Sequence, residues 1–123
     1  MSDLRNYISQ IKKINELKTV KTKVSTKYEI AGVTAKVDGS DAVLFENIKE
    51  SDFNLISNLV GTRKRFAIAV GGTEKNIHEK VISAIKKAKR PKITSSGKFM
   101  ENKSKNIFSM PIVNHFEKES GPF

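Results

Sequence analysis

The sequence predicts an α/β (α+β) domain, a small mixed sheet flanked by helices. Four stretches place apolar residues at the spacing of one helix face. Three shorter runs are rich in β-branched and aromatic residues, and the two kinds of segment are interspersed along the chain. With 123 residues, 37% of them hydrophobic and 29% charged, there is apolar material for one core and one small domain.

Residues 3–18 carry Leu4, Tyr7, Ile8, Ile11, Ile14 and Leu17 on one helical face, with Ser2 or Asp3 as the cap. From Thr19 to Ser25, Val20, Thr22 and Val24 alternate with Lys21 and Lys23, which predicts a half-buried strand. Thr26-Lys27-Tyr28-Glu29 has the spacing of a capping box and opens a predicted helix through Val37, ending near Asp38-Gly39. Residues 42–48, Ala-Val-Leu-Phe-Glu-Asn-Ile, read as a buried strand, and Phe53–Val60 as a second strand with a polar interruption. A short helix over Arg63–Val70 is stopped by Gly71-Gly72. Thr73 then caps a helix over Glu74–Lys89, whose Ile77, Val81, Ile82, Ile85 and Ala88 form one stripe; Pro91 ends it. Beyond Lys92 the pattern weakens into a polar stretch and then Ile107–Val113.

The charge balance is uneven, 23 Lys+Arg against 13 Asp+Glu, a formal net charge of +10. Such an excess raises a small basic nucleic-acid-binding protein as the alternative function. The distribution argues for a solvated lysine surface instead. Arginine occurs only at Arg5, Arg63, Arg65 and Arg90, and the aromatic residues fall in apolar patterns rather than interleaving with lysine. The absence of cysteine excludes a disulfide framework, a thiolate nucleophile and a cysteine-based zinc site. No apolar run reaches the length of a membrane span, and the polar N-terminus is unlike a signal peptide, so a cytoplasmic protein is expected.

Residues able to do chemistry are few. His78-Glu79 has the start of a zincin helix, but four residues on stands Ile82 rather than a second histidine. His115, close to Glu117 and Glu119, has the residue types for acid–base work or metal binding, but one histidine beside acidic residues is a weak signal by itself. Gly71-Gly72-Thr73 lacks the spacing of either common phosphate-binding loop and is sufficient as a helix-to-helix turn.

Three stretches, taken in order, carry a resemblance. Leu44-Phe45-Glu46-Asn47-Ile48-Lys49 resembles an LFENVKG strand, and residues 58–69, Asn-Leu-Val-Gly-Thr-Arg-Lys-Arg-Phe-Ala-Ile-Ala, resemble an NLFGSRKRIALALG strand-to-helix turn. Residues 110–123, running from Met110-Pro111-Ile112 through His115-Phe116-Glu117-Lys118 to Phe123, resemble an LPI–HFEKDAGPY segment. All three belong to the UbiD family of prenylated-flavin-dependent decarboxylases. Glu50-Ser51 departs from the glycine that follows the first motif, Glu119 stands for its aspartate, Ser120 for a small residue and Phe123 for a tyrosine.

The resemblance implies an N-terminal α/β domain over 1–109 and a connector over 110–123 toward an absent prenylated-flavin-binding catalytic domain, which in the family begins just after Gly121-Pro122-Phe123. The family's catalytic, cofactor and metal residues all lie downstream, so no residue here is assigned to those roles. Gly61-Thr62-Arg63 is expected to make the turn from strand to helix. Arg63 and Arg65 are expected to pair with carboxylates at the interface to the next domain, with a solvated helix start as the alternative. His115 and Glu117 become connector residues. The implied whole is a non-oxidative decarboxylase of an aromatic or α,β-unsaturated acid, an isoprenoid or quinone precursor among the candidates. It would use prenylated FMN, Mn²⁺ and often K⁺. The implied partner is a catalytic large subunit or downstream domain, in a homo- or hetero-oligomer.

Overall fold

A computed structural model describes residues 3–97 and 100–119. The expectations placed on Ser2 and on Ser120–Phe123 lie outside the described residues. The elements are α1 (Leu4–Lys13), β1 (Leu17–Val20), α2 (Glu29–Lys36), β2 (Ala42–Phe45), β3 (Leu55–Ser57), α3 (Arg63–Ala69), α4 (Ile77–Lys86) and a 3₁₀ turn (Ile107–Ser109). The sheet order is β1-β2-β3, parallel between β1 and β2 and antiparallel between β2 and β3. This is the small mixed sheet that the pattern predicts.

β2 is the centre of the fold because both of its faces are covered. Val43 and Phe45 point into a cluster with Val24, Ile30 and Ile48, on the side of α2. Ala42 faces the other way, onto Tyr7 and Ile11 of α1, with Leu59 and Ile68 packed alongside. A four-residue apolar run flanked by polar ones suits a strand buried on both sides. The result is three layers: α2, the sheet, and the pair α1 and α3.

Several boundaries differ from the sequence pattern, each for a local reason. α1 ends at Lys13 because Asn15 takes a left-handed conformation (φ 59°). Its amide donates to the Lys12 carbonyl at 3.1 Å and that of Glu16 to the Ile11 carbonyl at 2.9 Å, a Schellman closure with asparagine in the glycine position. Leu17 is thereby turned out of the helix and opens β1, two residues before the predicted strand start. Val24, predicted inside that strand, instead makes a separate parallel bridge to Ile48.

The capping box does not form. Tyr28, not Thr26, precedes α2, in a left-handed conformation (φ 69°) and without a side-chain cap bond. The Glu29 carboxylate reaches back one residue further, accepting from the Ser25 amide at 2.6 Å. α3 ends as the glycine pair predicts: the amides of Gly71 and Gly72 donate to the carbonyls of Ile68 and Ala67, a second Schellman closure, with Gly71 left-handed (φ 68°). α4 begins at Ile77 rather than Glu74, because Asn76 Oδ1 accepts from the Thr73 amide and folds residues 73–76 into a turn. Of its stripe only Ile77 is buried, and Ile82 and Ile85 are exposed.

Candidate functional site

Two hydrogen-bonded hubs sit at opposite ends of the sheet, each joining residues far apart in sequence. The first lies at the amino ends of β1 and β2 and is built from the second resembling motif. Asn58 follows β3 in a left-handed conformation (φ 55°), and its Nδ2 donates to the carbonyls of Val37 at 3.1 Å and Asp41 at 2.8 Å. Thr62 caps α3, its hydroxyl accepting from the Arg65 amide. The Arg65 side chain is fully buried. Its Nη1 donates to Glu16 Oε2 at 2.9 Å and to the Ser40 carbonyl, and its Nη2 to the Asn58 carbonyl at 3.2 Å. Nε has no partner among the described residues.

One side chain therefore ties together the turn after α1, the approach to β2 and the exit of β3. Tyr7 closes the hub from α1: its hydroxyl donates to the Leu59 carbonyl at 2.7 Å, with the Arg65 carbonyl at 3.1 Å. Burial pushes the Tyr7 phenol above its usual range. The Lys64 hydrogen bond to Glu16, at 2.8 Å, holds the Glu16 carboxyl below the usual carboxylate range against an opposing push from burial, and Arg65 adds to the lowering.

Arg65 thus has its carboxylate within the domain. Arg63 is exposed and donates from Nη2 to the Glu74 carbonyl at 3.1 Å, which steadies the α3–α4 turn.

The second hub lies at the carboxyl ends of β1 and β2 and holds the C-terminal segment. The Glu50 carboxylate accepts from the Ser25 hydroxyl and from the Thr26 amide at 2.9 Å. Burial pushes this carboxyl up, but those bonds together outweigh it and leave it below the usual range. The loop so fixed pairs with the tail: the Asn114 amide donates to the Thr26 carbonyl at 3.0 Å, and the Tyr28 amide to the Asn114 carbonyl at 3.1 Å. Ser51 Oγ donates to the Ser109 carbonyl at 2.6 Å, and Val113 packs on the Phe45 cluster. Between β3 and this tail runs an open groove of about 630 Å³, apolar in most of its lining.

His115 stands at that groove, and its carboxylate partner is Glu119 rather than Glu117. Its amide donates to Glu119 Oε2 at 2.7 Å and its Nδ1 lies 3.4 Å from Oε1, while Glu117 is exposed. Among the described residues no three of His, Asp and Glu converge on a point where a metal ion could be held. Gly71-Gly72 is a helix closure whose amides are already spent on carbonyls of α3. These residues do not fit Mn²⁺ or a flavin phosphate. Glu16, Asn58, Glu50 and Ser51 hold the hubs without any local pattern that assigns them a site role. Asn58 and the departure at Glu50-Ser51 were the available signals.

The chain is thus a three-layer α/β domain, pinned by hydrogen bonds at one sheet end and carrying an apolar groove at the other. The chain belongs to the 3-octaprenyl-4-hydroxybenzoate carboxy-lyase N-terminal domain family, UbiD_N, whose profile matches residues 8–85. It is 28% identical over 122 residues to the anhydromevalonate phosphate decarboxylase of Methanothermobacter thermautotrophicus, covering 98% of this chain and 28% of that one. Its fold matches the UbiD-class enzyme HmfF of Pelotomaculum thermopropionicum in complex with FMN, with a TM-score of 0.88 and 24% identity over 97% of this chain and 28% of HmfF. An evolved dimeric form of HmfF in complex with prFMN matches with a TM-score of 0.82 and 24% identity, over 99% of this chain and 30% of that one. The chain therefore spans less than a third of the length of these relatives.

Proposed function

We propose that the chain is the non-catalytic N-terminal domain or small subunit of a UbiD-class non-oxidative decarboxylase, with a structural and assembly role. The observation that carries this reading is coverage. Nearly the whole chain, 97%, superposes on only 28% of an FMN-bound UbiD-class enzyme. Catalysis then belongs to a downstream domain or a partner chain that binds prenylated FMN, Mn²⁺ and K⁺. When bound there, the prenylated flavin supplies an electron sink for decarboxylation.

The substrate class is an aromatic or α,β-unsaturated acid, and the similarity to an anhydromevalonate phosphate decarboxylase favours an isoprenoid precursor. A cytoplasmic location and a homo- or hetero-oligomer complete the reading. On this reading residues 110–119 begin the connector toward the catalytic portion, and the hydrogen bonds of Asn114 to Thr26 and Tyr28 fix where it starts on the domain.

Native mass spectrometry of the protein purified from its source tests this. A UbiD-class catalytic portion is expected with it, as a continuation of the same chain or as a second polypeptide, together with CO₂ release from such an acid. A preparation holding this chain alone, with no catalytic portion attached or bound, would overturn the proposal.

A further inference from the structure

The groove at the carboxyl ends of β1 and β2 has both of its walls built from this chain. Phe53, Leu55 and Ile56 line one side; Met110, Ile112 and His115 line the other. Phe53 and Met110 are 57% and 55% exposed, so two large apolar side chains face water where they could be covered. The second wall is not a loose tail. Ser51 holds it at Ser109, the loop fixed by Glu50 holds it at Asn114, and Val113 anchors it to the core. Glu50 and Ser51, which stand in place of the glycine of the first resembling motif, are the residues that form this latch.

We propose that this groove is the seat of the enzyme's catalytic portion, with residues 109–114 as its preformed wall. The inference rests on the function proposed above and deepens it by naming the docking surface. Two observations choose this occupant. Most of the length of each relative lies outside the region this chain matches, so a large covering body belongs to such enzymes. The wall is also the segment that leads out of the domain, so whatever the connector serves arrives beside the groove. Among the described residues His115 is the one titratable group in the lining, which suits an apolar protein surface and not a polyanion. Ile82 and Ile85, also exposed, stand on α4 and not beside this segment.

The chain has no cysteine, which makes site-specific labelling direct. Phe53→Cys, Met110→Cys, Ile85→Cys and Lys12→Cys would each be introduced into the native decarboxylase and treated with a maleimide, with labelling rates read peptide by peptide. Cysteines at 53 and 110 are expected to react at least about tenfold more slowly than the one at Lys12, as a covered site reacts only through local opening. Hydroxyl-radical oxidation of Phe53 and Met110 in the unsubstituted enzyme reads the same protection if a variant fails to assemble. Equal rates at all positions, protection confined to Ile85, or crosslinks from position 110 to a second copy of this domain would each overturn the docking site. Whether a catalytic portion is present is decided by mass and CO₂ release in the same preparation. A failed groove can thus be told from a failed functional reading.

Discussion

A guanidinium with no exposure is costly to place in a core, and Arg65 is held there by the density of its acceptors. Three oxygens from three separated segments converge on its two terminal nitrogens, so desolvation is offset locally. Arg65→Ala would leave the Ser40 and Asn58 carbonyls and the Glu16 carboxylate short of a donor. The expected loss is about 3–5 kcal/mol, the range for breaking a buried pair, and urea unfolding measures it. A loss within about 0.5 kcal/mol of zero would place Arg65 among ordinary surface residues.

Glu16 gives the hub a pH dependence with a definite sign. Its folded carboxyl is held low, so the folded state binds fewer protons than the unfolded one through the range where an ordinary glutamate titrates. The stabilisation is present above about pH 4.3, the unfolded value, and is lost as pH falls through the lower folded value. The melting temperature of Glu16→Gln should therefore fall less than that of the parent between pH 5 and pH 3. Parallel curves would show that Glu16 carries no such linkage. None of this was legible locally: Arg65 reads as a polar residue at a helix start, and its carboxylate stands 49 positions away in sequence.

At the scale of elements, the strand-to-helix turn after β3 depends on two residues fitting into one space. A Cβ at Gly61 would overlap the Asn58 side chain. To admit it, Asn58 must leave its position, and the carbonyls of Val37 and Asp41 lose their donor. Gly61→Ala is expected to cost about 1–3 kcal/mol, by denaturant titration, through those unsatisfied groups. A neutral substitution would mean that Asn58 is free to swing away.

The turn was legible because glycine and threonine at 61 and 62 mark a helix start. α1 and β2 were legible because their apolar spacing has one reading. The helix stop at Asn15 was missed because an asparagine in the left-handed region looks like any polar residue. The capping box at Thr26 misled for the opposite reason: the local pattern was right, but Glu50 and Asn114, both distant in sequence, had taken the Thr26 amide and carbonyl. The stripe on α4 was read correctly as a pattern, yet within this chain only Ile77 of it is buried, so it spoke for amphipathicity without saying what covers it.

For the whole molecule, the two ends of the sheet divide the tasks. The amino end is knitted shut by Asn58 and Arg65, while the carboxyl end carries the latch and the open groove. Ligand and partner sites in open α/β sheets commonly gather at the carboxyl ends of the strands, and this domain follows that habit for protein docking on the proposal above.

The uncovered face of α4 has a colloidal consequence. Ile82 and Ile85 offer two copies an adhesive spot, while a net charge of +10 drives the copies apart. At low ionic strength the repulsion reaches about 30 Å, and near 1 M salt only about 3 Å. The 123-residue chain on its own should therefore stay dispersed in dilute buffer and begin to self-associate as sodium chloride is added. Static light scattering would show it as a second virial coefficient that turns from positive to negative, and Ile85→Glu should delay the crossing. A coefficient that stays positive at high salt would mean that the α4 face is not adhesive.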